Sequence, residues 1–195
     1  MSKITIPNGV TTIGYRCFAG CSAITEVILP ESLERIEGFA FSGCKKLKEI
    51  IIPDSVTYIG SKAFYKCVNL KSVKLPAHIT RISLGMFRHC HQLTEIVIPD
   101  DVTVIEKDAF AECRSLEKIS LPSELKRIED GAFANCRKLR FLEIPDSVEY
   151  IGENLFGRKK RSKKTIVSKK NQYVRAYAAD HRIKIIDSLN EKDDS

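Results

Sequence analysis

The chain has 195 residues, 43% of them hydrophobic, and a formal net charge of +7. This length can bury a substantial core and fits one domain or one continuous repeat array. No stretch approaches the roughly 18 consecutive apolar residues of a membrane span, and the residues before the first repeat are too few for a secretory signal. We therefore expect a soluble chain without an export signal.

A unit of 23 residues is copied seven times along most of the chain. The copy between Leu47 and Cys67 shows the pattern, with apolar residues at fixed positions, one proline and one cysteine. A period of this length is typical of solenoids, in which each coil buries its apolar face against the next. Three columns are the same in every copy: Pro7, Pro30, Pro53, Pro76, Pro99, Pro122 and Pro145; Ile13, Ile36, Ile59, Ile82, Ile105, Ile128 and Ile151; and Phe18, Phe41, Phe64, Phe87, Phe110, Phe133 and Phe156.

Each copy contains the signals for two short strands and one turn. In the copy that begins at Leu47, alternating Ile50 and Ile52 predict a strand that ends at the proline, which has no N–H to donate. Residues 56–59 predict a second extended segment, and residues 63–67 predict one turn of 3₁₀ or α helix. Stacked coils would pair equivalent strands in parallel, giving a sheet of seven to eight short strands, about 35 Å long.

Six of the seven cysteines share one column, and Cys17 takes a position that alanine fills in most copies. The spacing of the six follows the repeat and gives no pairing scheme. We therefore predict a ladder of buried, unreactive thiols rather than disulfides. Its members are Cys21, Cys44, Cys67, Cys90, Cys113 and Cys136.

The columns resemble the BspA-like leucine-rich repeats, whose pattern Leu-x-x-Ile-x-Ile-Pro-x-x-Val-x-x-Ile-Gly-x-x-Ala-Phe-x-x-Cys the chain follows from Ile4 to Phe156. The resemblance implies a leucine-rich-repeat solenoid, a right-handed superhelix of the α/β type that is rich in β-structure, over residues 1–157. It also implies an adhesive or ligand-binding part of a bacterial or protist surface protein. We expect a cell-surface or extracellular location if a signal was removed, and a cytoplasmic one otherwise.

The chain after the array predicts a cap made of a strand, a helix and a strand, over residues 165–189. Its first strand is expected in register with residues 142–144, and Asn171 is expected to cap the helix. Such a cap shields the last apolar face of a solenoid. The three elements are predicted at residues 165–167, 171–180 and 183–185, with a polar tail at residues 190–195.

A basic loop is predicted at residues 158–164, before the cap. The run of residues 158–170 holds eight Lys or Arg and no acid, so the rest of the chain sums to −1. Clustered Lys and Arg side chains bind polyanions, because the contact releases counterions. No aromatic residue precedes Tyr173 in this segment, which disfavours nucleic acid, and a solvated loop is the competing interpretation. The candidate residues are Arg158, Lys159, Lys160, Arg161, Lys163 and Lys164.

The exposed positions of the main sheet are the first candidates for a binding site. One column across the predicted strands contains Thr5, Ile28, Ile51, Lys74, Val97, Ser120 and Glu143. Its aliphatic members predict the centre of a concave binding face for a protein or glycan, while ordinary β-propensity is the competing interpretation. The flanking candidates are Glu26, Glu49, Glu95 and Phe141.

A second exposed row alternates residue types that interfaces favour. Tyr58 and Arg81 are its binding candidates, and packing along a convex edge is the competing interpretation. The row consists of Arg35, Tyr58, Arg81, Val104, Arg127 and Tyr150.

The sequence predicts neither an enzyme nor a metal or cofactor site. The segment His89-Cys90-His91, with His78 nearby, is the only cluster of ligand types, and a buried Cys90 would not converge with its neighbours on one ion. Phosphate-binding glycine loops, nucleophile elbows and paired Cys-x-x-Cys motifs are missing from the sequence.

Three functional hypotheses remain. The first is a non-enzymatic binding module that uses the sheet face. The second is an intracellular scaffold that self-associates through the N-terminal coil, where an open strand edge invites pairing with another chain. The third is weak polyanion binding through the basic loop.

Overall fold

The structure, a computed structural model, describes residues 2–157 and 164–189 and has the predicted solenoid form. Each of the first seven coils contributes one main strand and one two-residue second strand, and an eighth main strand follows them. The main strands are β1 (Ser2–Thr5), β3 (Ile24–Ile28), β5 (Glu49–Ile51), β7 (Ser72–Lys74), β9 (Glu95–Val97), β11 (Lys118–Ser120), β13 (Phe141–Glu143) and β15 (Thr165–Val167). The second strands are β2 (Thr12–Ile13), β4 (Arg35–Ile36), β6 (Tyr58–Ile59), β8 (Arg81–Ile82), β10 (Val104–Ile105), β12 (Arg127–Ile128) and β14 (Tyr150–Ile151).

The main strands pair in parallel, with partners one repeat apart over the array. Ile50 lies beside Val73, and Ile51 lies beside Lys74. The predicted stack of eight short parallel strands is present, and its ladder hydrogen bonds fall into the groups β1–β3, β5–β7 and β9–β11, followed by β13, β15 and β16 (Lys184–Ile186). Strands of three residues offer few ladder bonds, so the twist between coils readily interrupts the ladder.

The second strands form two ladders, β2–β4–β6 and β8–β10–β12–β14. The break between them falls at Ser83, which takes the position held by Gly60 one coil earlier. The Gly60 N–H donates to the Ile36 carbonyl. At the break, the Ser83 hydroxyl donates to the Ile59 carbonyl instead. A side chain therefore takes the place of a backbone bond at this step of the stack.

The third side of each coil consists of tight turns, so the prediction of a helical turn at residues 63–67 is wrong. The N–H groups of Lys62, Phe64 and Lys66 donate to carbonyls of the next coil, while those between them close turns within the coil. Lys62 and Lys66 have φ of 57° and 58°. These left-handed residues turn alternate N–H groups along the solenoid axis, which a regular helix cannot do.

The core is a stack of equivalent side chains. Successive phenylalanine rings from Phe18 to Phe133 lie 5.4–5.6 Å apart and within 13° of parallel. Each buried cysteine donates its thiol to the carbonyl of a phenylalanine in the preceding coil, as Cys67 does to Phe41 at 3.1 Å. The isoleucine and leucine columns fill the remaining interior.

The predicted cysteine ladder is confirmed for its five later members, which are buried without disulfides, and is wrong for Cys21. Cys21 is exposed, as is Cys17. Each thiol of the ladder is covered by the coil before it, and no described coil precedes Cys21.

The C-terminal cap has the predicted elements: β15, helix α1 (Gln172–Asp180) and β16. The Asn171 side chain accepts the Val174 N–H, as predicted. The predicted register of β15 is wrong by one residue, since Ile166 pairs with Leu142. The predicted register would place the hydroxyl-bearing Thr165 in that inward position, because a one-residue slip exchanges the faces of a strand.

The helix closes the last coil with its tyrosines. The Tyr173 ring is exposed, and its hydroxyl accepts the Ile151 N–H. The Tyr177 hydroxyl donates to the Gly152 carbonyl. The predicted tail at residues 190–195 lies outside the described residues. Within the described part of the chain, no helix is long and apolar enough to cross a membrane.

Candidate binding surface

The main-sheet face carries its exposed apolar side chains in one column. Ile51 is 67% exposed and Val97 is 70% exposed, whereas Ile50 and Ile52 are buried. This difference follows from the alternation of side chains along a strand. Lys74 stands next to Ile51 in the paired strand β7, and Ile28 is the third exposed aliphatic of the column. The column therefore presents aliphatic groups on a hydrogen-bonded scaffold.

A hollow of about 800 Å³ lies over β7, β9 and β11. Val97 contributes an apolar wall, and Lys74 and Glu95 line the same space. At its border, His78 Nδ1 lies 3.0 Å from Asp101 Oδ2. A hollow with an apolar surface and charges of both signs is suited to a ligand that has apolar groups and several polar ones.

A smaller hollow of about 240 Å³ lies over β3 and β5. It contains Ile28 and Ile51 together with the carboxylates of Glu26, Glu31 and Glu49. Glu26 also forms an ion pair with Lys3, at 2.8 Å. This end of the face is acidic, whereas the larger hollow has charges of both signs.

Most predicted face residues therefore line one of these two hollows, but three do not. Phe141 is half-buried on β13, apart from both. Tyr58 and Arg81 lie on the second ladder, on a different side of the coil. The Arg35 guanidinium lies 4.2 Å from the Tyr58 ring centre, and Arg81 pairs with Glu106 at 3.3 Å. The guanidinium groups of Arg35 and Arg81 thus already have partners within the chain.

Lys164 does not belong to an exposed basic site. Its side chain is buried, and its ammonium donates to the carbonyl oxygens of Cys136, Arg137 and Leu139. Burial lowers the pKa of Lys164. The prediction that this residue contacts a polyanion is wrong, because its donors are used inside the fold. The other predicted loop residues, 158–163, lie outside the described residues.

The segment His89-Cys90-His91 does not bring its side chains together on one point. Burial raises the pKa of Cys90, whose thiol donates to the Phe64 carbonyl at 3.2 Å. The rings of His89 and His91 have their centres 5.7 Å apart, and burial lowers the pKa of each. No group of three or more described His, Cys, Asp or Glu residues is arranged to hold a metal ion.

Sequence reasoning did not assign the border of the larger hollow to the binding face. Asp54, Asp100 and Asp101 line it, together with His78 and Lys118. The signal that identifies the aspartates is their position in the turns that follow the prolines, because those turns flank the exposed column in every coil. The His78 contact with Asp101 has no such signal, since it depends on side-chain conformations in adjacent coils.

Comparison with known proteins agrees with this architecture. The sequence profile of the BspA type leucine-rich repeat region, in six copies, matches residues 1–114 and 80–190. A leucine-rich repeat protein from Bacteroides ovatus ATCC 8483 is similar in structure, with a TM-score of 0.79 and 32% identity over 93% of this chain and 44% of that one. A second, from Eubacterium ventriosum ATCC 27560, has a TM-score of 0.75 and 29% identity over 80% of this chain and 42% of that one.

The leucine-rich repeat protein of T. pallidum is similar over more of its own length. Its TM-score is 0.71, with 33% identity over 77% of this chain and 72% of that one. By contrast, the chain spans less than half of the Bacteroides and Eubacterium proteins. A search of curated proteins gave no match.

Proposed function

Because the chain belongs to the BspA-type leucine-rich repeat family, we propose that it is a non-enzymatic binding module that holds a protein or glycan on its main-sheet face. The observation that carries the proposal is the exposure of Ile51 and Val97, at 67% and 70%, beside the two hollows. Aliphatic side chains this open contribute nothing to the core, and covering them with a ligand is favourable by about 25 cal/mol per Å².

The surroundings of these residues resemble an interface core with its polar rim. Lys74 lies beside Ile51, and Glu95 lies on the same strand as Val97. Contacts with such charges set the orientation and specificity of a partner, while the apolar centre supplies most of the affinity. The strands also hold these side chains in fixed relative positions, which limits the entropy lost on binding.

Binding to panels of purified proteins and glycans tests the proposal. The variant Ile51→Asn/Val97→Asn should fold as the parent does and bind ligands of the parent at least about tenfold more weakly, as expected for loss of an apolar centre. The matched control is Leu84→Asn, an exposed aliphatic outside both hollows. Equal binding by the parent and the double variant would contradict the proposal.

End-to-end association is a second candidate function, and the incomplete burial of apolar side chains in the first described coil favours it. Ile4, Ile6, Val10 and Phe18 pack against the core but remain partly exposed. A second copy of the chain that covers this end would bury them. Sedimentation under reducing conditions should then show association that Ile4→Lys weakens, whereas a monomer at high concentration would contradict this candidate.

A further inference from the structure

The turns on the two sides of the main sheet carry opposite charge. We define the pre-strand edge as residues 22–25, 45–48, 68–71, 91–94, 114–117 and 137–140. The post-strand edge is residues 8–11, 31–34, 54–57, 77–80, 100–103, 123–126 and 146–149. The pre-strand edge holds eight Lys or Arg and one acid, a formal charge of +7, and the post-strand edge holds eight acids and one Lys, a formal charge of −7. All eight bases of the first and all eight acids of the second are exposed.

We propose that the pre-strand edge binds a linear anionic polysaccharide, sulfated or phosphorylated, that runs along the solenoid axis. Its basic residues form two groups, one in the turns before β5 and β7 and one in the turns before β11 and β13. They are Lys45, Lys46, Lys48 and Lys71 in the first group, and Arg114, Arg137, Lys138 and Arg140 in the second.

Most of these cations are free to bind an external anion. Lys138 pairs with Glu117 at 2.8 Å, and Arg114 pairs with Glu112 at 3.0 Å. In the described part of the chain, the other six basic side chains of the edge have no carboxylate within ion-pair distance. Exposed cations without partners lose little when they contact sulfate or phosphate, and they release counterions from the polymer.

The geometry of the edge suits a polymer better than a globular partner. Equivalent residues in successive coils lie about 4.8 Å apart, so Lys48 and Arg140, four coils apart, are separated by about 19 Å along the axis. A row of this kind matches a linear chain of charges. A specific interface between folded proteins needs about 800 Å² on each partner, which is a broader surface than one row of turns.

The acidic post-strand edge restricts polyanion binding to the pre-strand edge of the main sheet. Main strands of three to five residues separate the two edges by about 10–17 Å, whereas fields are screened over about 8 Å at physiological salt. The negative edge therefore does not cancel the positive one. It repels a polyanion from the opposite side of the sheet.

A polysaccharide fits the pre-strand edge better than a nucleic acid does, because the turns of this edge offer few aromatic side chains for stacking. The turns of the pre-strand edge include no Phe, Tyr or Trp, and Phe141, which lines a hollow with Arg137, Lys138 and Arg140, is half-buried. Single-stranded nucleic acid binding draws about 1–3 kcal/mol per base from stacking on aromatic side chains, and these turns offer no row of rings for successive bases.

Binding of a fluorescent heparin oligosaccharide to the full chain, measured over a series of salt concentrations, tests the proposal. We compare the parent with Lys45→Gln/Lys46→Gln/Lys48→Gln. With about 0.7 counterions released per contact, loss of three contacts should lower the salt slope by about 2 and weaken binding about 100-fold at 0.1 M salt. Unchanged circular dichroism and thermal unfolding would show that the variant is folded.

Matched variants separate this edge from other basic segments. Lys66→Gln/Lys107→Gln/Lys184→Gln removes the same charge from exposed positions elsewhere and should bind almost as the parent does. A loop variant neutralises Arg158, Lys159, Lys160, Arg161 and Lys163 and should retain the edge contacts. Ile51→Asn/Val97→Asn should bind heparin normally, because its surface is a different one.

Several results would overturn the proposal. Absence of heparin binding by the parent, or an equal loss in the matched triple variant, would mean that the edge is not a site. A loss confined to the loop variant would move the site to residues 158–163. Tighter binding of an oligothymidylate of equal charge would reject the polysaccharide as partner. Salt-dependent self-association that the edge variant abolishes, without heparin binding, would identify the partner as the acidic edge of a second copy.

Discussion

Removal of one ring from the middle of the phenylalanine stack should destabilise the whole array. The substitution is Phe64→Ala, at a fully buried position between Phe41 and Phe87. Both neighbouring ring centres lie 5.6 Å from that of Phe64, with the rings nearly parallel. Like the other interior rings of the stack, Phe64 has a stacking partner in each adjacent coil, so the loss reaches both interfaces of its own coil.

The expected loss is large relative to the stability of a domain. Truncation of a buried phenylalanine to alanine costs about 3–5 kcal/mol. Each aromatic pair adds about 0.5–1.5 kcal/mol beyond the buried area. With two such pairs lost, we expect the upper part of the range, about 4–5 kcal/mol. Domains are stable by about 5–15 kcal/mol, so this loss is at least about a quarter of the total stability.

Phe18→Ala is the matched control, because it removes the same ring from the end of the same stack. Phe18 is partly exposed and has one stacking partner, Phe41, at 5.4 Å. Its loss should cost about 1–2 kcal/mol, since less area and one pair are removed.

The assay is urea unfolding of both variants and the parent, followed by circular dichroism. A lower midpoint at unchanged slope reports lost stability, while a reduced slope reports that the coils no longer unfold together. A cost below about 1 kcal/mol at Phe64, or equal costs at Phe64 and Phe18, would refute a core built by stacking between coils.

Three further predictions follow from the buried groups. Thiol reagents should modify Cys17 and Cys21 rapidly in the native protein and the other five cysteines only after unfolding; fast reaction of more than two thiols would contradict the ladder. Burial raises the pKa of Cys44 and Cys136 to about 12, so the unfolded chain loses these protons first. The free energy of unfolding in reductant should therefore fall as pH rises above 9.0, by up to about 1.4 kcal/mol per buried thiol and pH unit, and no fall by about pH 10 would contradict this. Lys164→Met should cost about 2–3 kcal/mol in urea unfolding, because three carbonyls lose a charged donor; a neutral effect would show that water replaces it.

The coil interior was predictable because the same packing problem recurs in every repeat. The phenylalanine and isoleucine columns each occupy one interior position, and a period of 23 residues reveals them without knowledge of the fold. The left-handed turns were missed at Lys62 and Lys66, whose residue types carry no sign of positive φ. A signal did exist in other copies, where Gly43 and Asn135 share the column of Lys66. Both residue types tolerate that conformation well.

Features at the ends of the array were less predictable. A cysteine column does not show that Cys21, in the first described coil, is exposed. The register of β15 depends on the path taken after residue 157, which no periodicity determines. Lys164 looks like its basic neighbours in sequence, and only the position of three carbonyls distinguishes it.

The candidate binding surface also has features that the sequence predicts and features that it does not. Alternation along each strand was enough to predict that Ile51 and Val97 face outward. The hollows depend on the sizes and directions of side chains in adjacent coils, so the sequence did not reveal them. The two charged edges are visible in the sequence only after the positions of the turns relative to the main strands are known.

The central claim is that specificity resides on the main-sheet face, in positions that the repeat leaves open. Photo-crosslinking tests it most directly, with p-benzoylphenylalanine placed at Val97 in one variant and at Leu84 in another, each mixed with a ligand identified on the panels. We predict adducts to the ligand from position 97 and none from position 84. Adducts from position 84 alone would contradict the claim and move the binding surface to another side of the solenoid.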